Sequence, residues 1–384
     1  MKDVNIKHHI SDTADVIWAM NKTNKFTEDI ECHYRGLLNF LDVLYYRNGN
    51  SSYPQVVTRH TVFFLAMAMP SLAIIDPSRT KEISYNLHIA GELMENQLLT
   101  CSLDGNNSEP VRTVETGLIY AMHKMVSGKK INDIKLHNYV EKIYQHIVTN
   151  GASVQKVYAI ETIQGVYQIL PNLEALMMLK IHDMCYGTNY YTSISGKVLS
   201  FIEENLIDKE TGLFNEFYKN GSFGIENEKL SGDAAWHSTE LKASTNGLAI
   251  PFMHYFNKEG AEVAWIEFKK KFSDEIMAYT REDFIDGTGH SYLSQLSPKT
   301  EAVYGAMLAA REMNDKDFFE QIQKRVLEIG EPCQREGKIF YDGLGTMKVL
   351  QAHFILFARV HIGWNRIFNN DWQAHYAADY NIVR

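Results

Sequence analysis

The feature that most constrains this chain is a unit that repeats. An apolar helical stretch ends at a short polar knot, and a second, more charged helical stretch follows. The knots are Asp76-Pro77-Ser78, Gly128-Lys129-Lys130, Gly187-Thr188-Asn189, Asn257-Lys258-Glu259-Gly260 and Asn314-Asp315-Lys316. They recur at roughly 50–70 residues, the size of a helical hairpin plus a connection, which is how a repeat architecture reads. Helical periodicity runs over 31–46, 53–75, 78–98, 113–126, 132–148, 172–184, 192–206, 244–256, 260–277, 299–313, 316–329 and 346–368. In each unit the first helix is apolar on most sides and the second is amphipathic. Two concentric layers account for that difference, because inner helices touch protein all round and outer ones face water on one side. About six hairpins fit 384 residues. The expected fold class is all-α, an (α/α)6 barrel with short β-hairpin loops, and the alternative is an open solenoid. Without a long linker or low-complexity tract, the chain reads as one domain over 1–384 with 1–27 as an N-terminal extension.

Composition narrows the function classes. A formal net charge of −9 argues against a nucleic-acid footprint, which needs a basic face. The polar start of the chain has no apolar signal-peptide core, and the longest apolar run, 62–75, contains Pro70 and is too short to span a bilayer. Cys32, Cys101, Cys185 and Cys333 are widely spaced, with no CxxC pair. A cytoplasmic protein with free thiols and no membrane association is expected. No phosphate-binding loop, dinucleotide fingerprint, HExxH helix, zinc-spaced Cys/His cluster or GxSxG elbow occurs, so no cofactor and no metal are expected.

Three stretches interrupt the helices: 212–232, 284–292 and 337–345. The first contains the alternating run Leu213 to Tyr218, ended by Asn220-Gly221, and reads as a hairpin or extended loop. Loops on rigid scaffolds carry function disproportionately, which draws attention to Asp233, Trp236, His237 and Glu240 just before an apolar helix and to Asp286 and His290 in the next loop. His237 titrates in the range that suits proton transfer. Asp42 sits among Phe40, Leu41, Val43 and Leu44, where a carboxylate needs a partner or a raised pKa. Tyr46 lies four residues on, along the same helix face. Glu115 opens an apolar helix, and Glu161 lies in an apolar stretch before the next one.

Several segments resemble the linalool dehydratase-isomerase family. They are Ser71 to Pro77 at a helix end, Tyr186-Gly187-Thr188-Asn189-Tyr190 through Leu206-Ile207-Asp208 and Gly212, Ala310 to Asp315, and Ala358-Arg359-Val360-His361. Order and spacing agree from about residue 34 to residue 368. The resemblance implies the same (α/α)6 fold, a homo-oligomer, and a catalytic aspartate and tyrosine at Asp42 and Tyr46. The family's histidine falls on Glu115, its two site cysteines near Thr162 and Pro171, and a later site tyrosine near Ser244, so the thiol chemistry is not carried over. Tyr167 and Ser244 complete the expected substrate-binding set, with Asp233, Trp236, Glu240, Asp286 and His290. The expected catalytic residues are Asp42, Tyr46, Glu115, Glu161 and His237.

The expected activity is that of a cofactor-independent lyase or isomerase, dehydratase- or cyclase-like, using acid–base chemistry on a small, largely apolar metabolite such as a natural-product intermediate. The alternative is a carbohydrate-active (α/α)6 enzyme, a glycoside hydrolase or epimerase, with two carboxylates as acid and base and aromatic side chains to stack sugars. A third reading, a non-catalytic helical scaffold, draws on the missing cysteines.

Overall fold

The computed structural model describes residues 26–46, 55–95, 109–153, 156–163, 165–219, 236–237, 241–285 and 298–374. Residues 1–25 of the expected extension, together with Asp233, Glu240, Asp286 and His290, lie outside them.

The chain forms an (α/α)6 barrel. The inner layer consists of α2 (Gln55–Ile75), α4 (Glu109–Ser127), α6 (Ile169–Tyr186), α8 (Ala243–Phe256), α11 (Pro298–Glu312) and α13 (Lys348–Val360). The outer layer consists of α1 (Glu28–Tyr46), α3 (Thr80–Glu95), α5 (Asp133–Ala152), α7 (Tyr190–Asn205), α9 (Lys258–Ala278) and α12 (Lys316–Gly330), with short helices α10 (Arg281–Ile285) and α14 (Trp364–Phe368). Each inner helix packs on the next, and α13 packs back on α2, which closes the ring and excludes the open solenoid. At that seam the rings of Phe64 and Phe354 stack 4.1 Å apart.

Sequence dictates the layer. Every residue of α6 from Ile169 to Leu179 is buried, as an unbroken apolar helix requires. In α12, Phe318, Phe319, Ile322, Val326 and Leu327 face inward, while Lys316, Glu320, Lys324 and Glu328 are on the other side. The polar knots all fall at one end of the barrel, where Gly187 ends α6 at φ +67 and Asn257 and Asp315 cap α9 and α12 with their side chains. Closest approach in the inner ring occurs between α8 and α11, where Gly247 faces Gly305. A Cβ on Gly247 would stand 2.7 Å from the Gly305 carbonyl carbon.

Connections at the opposite end are long. They hold an antiparallel sheet in the order β1 (Glu161–Ile163), β2 (Val166–Gln168), β3 (Phe217–Lys219), β4 (Trp236–His237) and a hairpin of β5 (Pro332–Arg335) and β6 (Lys338–Tyr341). Glu336 and Gly337, both at positive φ, make the tight turn of that hairpin, where the sequence suggested only a loop. The expected helix over 346–368 is broken: α13 ends at Val360, and Gly363, at φ +93, redirects the chain into α14.

An unforeseen repeat anchors the long connections. Asn172 and Asn246 are each the fourth residue of an inner helix. Asn172 accepts a hydrogen bond from the Ile160 N–H at 2.7 Å, and Asn246 accepts one from the Phe214 N–H at 2.7 Å; each amide also donates to a carbonyl of the connection before it. Gln351, fourth in α13, donates to the carbonyls of Phe284 and Leu344. These side chains satisfy backbone groups that would otherwise be buried without partners.

Candidate active site on the barrel axis

All six inner helices contribute to one cavity on the barrel axis: His60 from α2, Glu115 from α4, Glu174 from α6, Phe252 from α8, Leu308 from α11 and Phe357 from α13. Its volume is about 30 Å³. The polar members lie in the first two turns of α2, α4 and α6, toward the end that carries the long connections. The remaining wall is apolar, with Phe63, Phe64 and Met67 below His60.

One carboxylate meets a guanidinium here, and a second carboxyl lines the same cavity. Arg59 on α2 donates from Nη2 to Glu115 Oε1 at 2.9 Å, and its Nε lies 2.8 Å from Oε2, a two-pronged ion pair. Both partners are buried, with side chains 5% and 7% exposed. Glu174, on the neighbouring inner helix, is also buried. Burial, and then the charge of Glu115, push its carboxyl well above the ordinary carboxylate range, and Arg59 only partly opposes them. Glu174 thus brings a carboxyl that resists ionisation beside the ion-paired carboxylate of Glu115. Two like groups in different environments are the arrangement that assigns acid and base roles. His60, next to Arg59 in sequence, is held well below its ordinary pKa by burial and by the Arg59 charge. Among the described residues no cluster of three or more His, Cys, Asp or Glu is arranged to hold a metal ion.

Of the candidates read from sequence, Glu115 is in this cavity. Asp42 is exposed on the outer helix α1. For Tyr46 only the backbone, at the end of α1, is described, and for Trp236 and His237 only the backbone of β4, where His237 pairs with Tyr218. Glu161, in β1, accepts the Gly165 N–H and so fixes the β1–β2 turn. Tyr167 is buried against Phe201 and Tyr218, its hydroxyl pushed up to about 12 by burial and by Glu161. Ser244 is buried in the first turn of α8. Asp42, Glu161, Tyr167 and Ser244 do not line the axial cavity. Sequence reasoning missed Arg59, His60 and Glu174. The criterion applied to Asp42, a charge within an apolar helix, fits Arg59-His60 before Thr61-Val62-Phe63 and Glu174 within Leu173 to Leu179 better still.

No protein-family model matches the sequence. Among solved structures the chain is similar to an α-1,6-mannanase of glycoside hydrolase family 76 from Salegentibacter sp. HEL1_6, at TM-score 0.53 and 12% identity over 86% of this chain and 99% of that one. An inactive variant of that enzyme, with two adjacent aspartates replaced by asparagine and α-1,6-mannotriose bound, gives TM-score 0.52 at 12% identity over the same shares. A family 76 α-mannanase from Bacteroides thetaiotaomicron gives 0.50 at 11% identity over 88% and 97%. At such identities the likeness carries the fold.

These findings correct the linalool dehydratase-isomerase resemblance. Its segments are helix ends, and helix ends of one type close hairpins in any (α/α)6 barrel, so they carried fold and not family. With it go the lyase or isomerase reading and the small apolar substrate, since the similar structures are glycosidases and one holds an oligosaccharide. The homo-oligomer rested on the resemblance alone and loses that support. One difference from the mannanases is plain in the sequence: no two aspartates are adjacent anywhere in these 384 residues.

Proposed function

We propose that this chain is a carbohydrate-active enzyme that cleaves glycosidic bonds by general acid–base catalysis, with Glu174 as the acid and Glu115 as its carboxylate partner. The observation that carries the reading is the buried pair itself: Glu115, held as an ion pair by Arg59, and Glu174, whose carboxyl burial pushes above the ordinary range, line one cavity at the axis of a barrel whose fold is similar to that of known glycosidases. Glycoside cleavage needs this asymmetry, because the leaving-group oxygen must receive a proton while a second carboxylate acts on water or on the sugar. In this chain the two groups come from α4 and α6, rather than from adjacent residues.

Arg59 has a positioning part in this scheme. Its fork fixes the Glu115 carboxylate, and its charge keeps His60 from competing for the proton. The cavity is too small for a whole sugar ring, so the ring sits above it, toward the long connections.

The test is hydrolysis of a panel of defined oligosaccharides, beginning with α-1,6-mannotriose and including other linkages and sugars, followed by release of reducing ends. The wild-type protein is expected to cleave at least one member, and Glu174→Gln to lose about 10²–10⁴-fold in kcat with an unchanged fold. A wild-type rate from folded Glu174→Gln would remove Glu174 from the mechanism.

A further inference from the structure

His60 is a buried polar side chain that the catalytic scheme does not use. It lines the axial cavity beside Glu115 and Glu174 and is 7% exposed. Its Nδ1 is buried without a hydrogen-bond partner among the described residues. His33 and His353 also each leave one ring nitrogen without a partner, but the other is tied to a carbonyl, that of Ala352 at 2.9 Å and that of Val349 at 2.6 Å, whereas among the described residues neither nitrogen of His60 is bonded. An imidazole left unsatisfied in a cavity costs stability unless something arrives to bond it. The space against it, about 30 Å³, has room for about one water or one hydroxyl group and none for a pyranose ring.

We infer that His60 is a substrate-binding residue that receives one neutral hydroxyl or hydroxymethyl group of the sugar in the axial cavity and so sets specificity at that position. The inference rests on the glycosidase reading. The chemistry is matched on both sides. A neutral imidazole offers one N–H donor and one nitrogen acceptor, and a hydroxyl is likewise both donor and acceptor. Protonation of the ring is opposed by the burial and by Arg59, so it does not attract a carboxylate. A charged substituent on the sugar would meet a site whose fixed charges, Arg59 and Glu115, already satisfy each other. The remaining walls near His60, Phe63 and Phe64, offer no competing partner.

The experiment compares a cleaved glycoside with its series of monodeoxy analogues, on wild type, His60→Phe and His60→Gln, with thermal melts of all three. Wild type should discriminate against one analogue by roughly 5- to 150-fold in kcat/KM, the range for leaving a buried polar group unpaired. His60→Phe should lower kcat/KM for the parent sugar by a comparable factor, leave that one analogue unaffected, and so erase the discrimination. His60→Gln, which can still bond a hydroxyl, should restore part of it. Because His60 has no internal partner to lose, neither variant should melt below wild type. Equal losses across all analogues, or discrimination that survives in His60→Phe, would overturn the inference while leaving the glycosidase reading intact. A large drop in melting temperature in both variants would assign His60 to the fold and overturn it as well. If wild type cleaves no glycoside, the reading and the inference fall together.

Discussion

The Glu174 carboxyl illustrates how a single side chain ties function to stability. Its pKa in the folded protein lies well above the value near 4.3 of an unfolded glutamate. Between those two values the folded state holds a proton that the unfolded chain has released. Stability therefore falls as pH rises through that window, and the deficit is fully present above it. Glu174→Gln removes the titrating group but keeps the shape of the neutral acid. It should raise the melting temperature at neutral pH and flatten its decline above about pH 4.3, while activity is lost. Thermal melts of both proteins across that range check this; a variant less stable than wild type at pH 7 would mean that Glu174 is ionised and paired in the fold. The acid was passed over in the sequence, although it stands there as a charge inside an apolar helix. Its role could not be read there, since the neighbour that raises its pKa, Glu115, lies on another helix and nothing local links the two.

At the scale of elements, the barrel depends on how closely its inner helices approach. Gly247 and Gly305 let α8 and α11 meet backbone to backbone. A methyl group on Gly247 would meet main-chain atoms at 2.7–3.0 Å, and main chain cannot swing aside as a side-chain tip can. Gly247→Ala should therefore destabilise by about 1–3 kcal/mol through overpacking, despite the better helix propensity of alanine. Urea unfolding measures this, and a stabilised variant would show that the two helices can separate without loss. Helix existence and layer were readable because burial on all sides demands an apolar helix. The knots were readable because capping residues and left-handed glycines serve the local backbone. The anchoring set of Asn172, Asn246 and Gln351 was not, since each amide bonds backbone that the chain brings near only after folding. The helix-end motifs behind the family resemblance fall on the same divide: they encode how a hairpin turns and say nothing of what the axis holds.

Across the whole molecule the end of the chain is tied back to its beginning. Outer helix α1 packs against inner helix α13, and the buried Arg359 guanidinium binds Asp29 across 330 residues of sequence. No periodicity within either segment reveals that partnership. Among the described residues five buried histidines lie below their ordinary pKa, in each case chiefly through burial: His33 and His353 at about 3, His123 and His182 at about 4, and His60 well below 6.5; the half-buried His146 is lowered in the same way. Unfolded histidines would take up protons near pH 6.5 that the folded ones refuse. Stability is thus fully present above that pH and lost as pH falls through 6.5 toward 4. Each group contributes up to about 1.4 kcal/mol per pH unit. The single opposing proton of Glu174 in this window cannot offset five. Denaturation curves should show stability falling steeply from pH 6.5 to 4.5, and a flat profile there would mean that these rings gain partners or water as they charge.

The central claim is that a protonated Glu174 and an ion-paired Glu115 share the barrel axis. It is tested most directly by following the side-chain carboxyl carbons of ¹³C-labelled glutamate by NMR as pH is varied, with Glu174→Gln used to assign the resonance. The Glu174 signal should remain that of a neutral acid at pH values where an ordinary glutamate has ionised, and move to the carboxylate position only at higher pH. Replacing Glu115 by glutamine, which removes the neighbouring charge, should bring the transition to lower pH. A Glu174 signal already at the carboxylate position by pH 5 would contradict the claim.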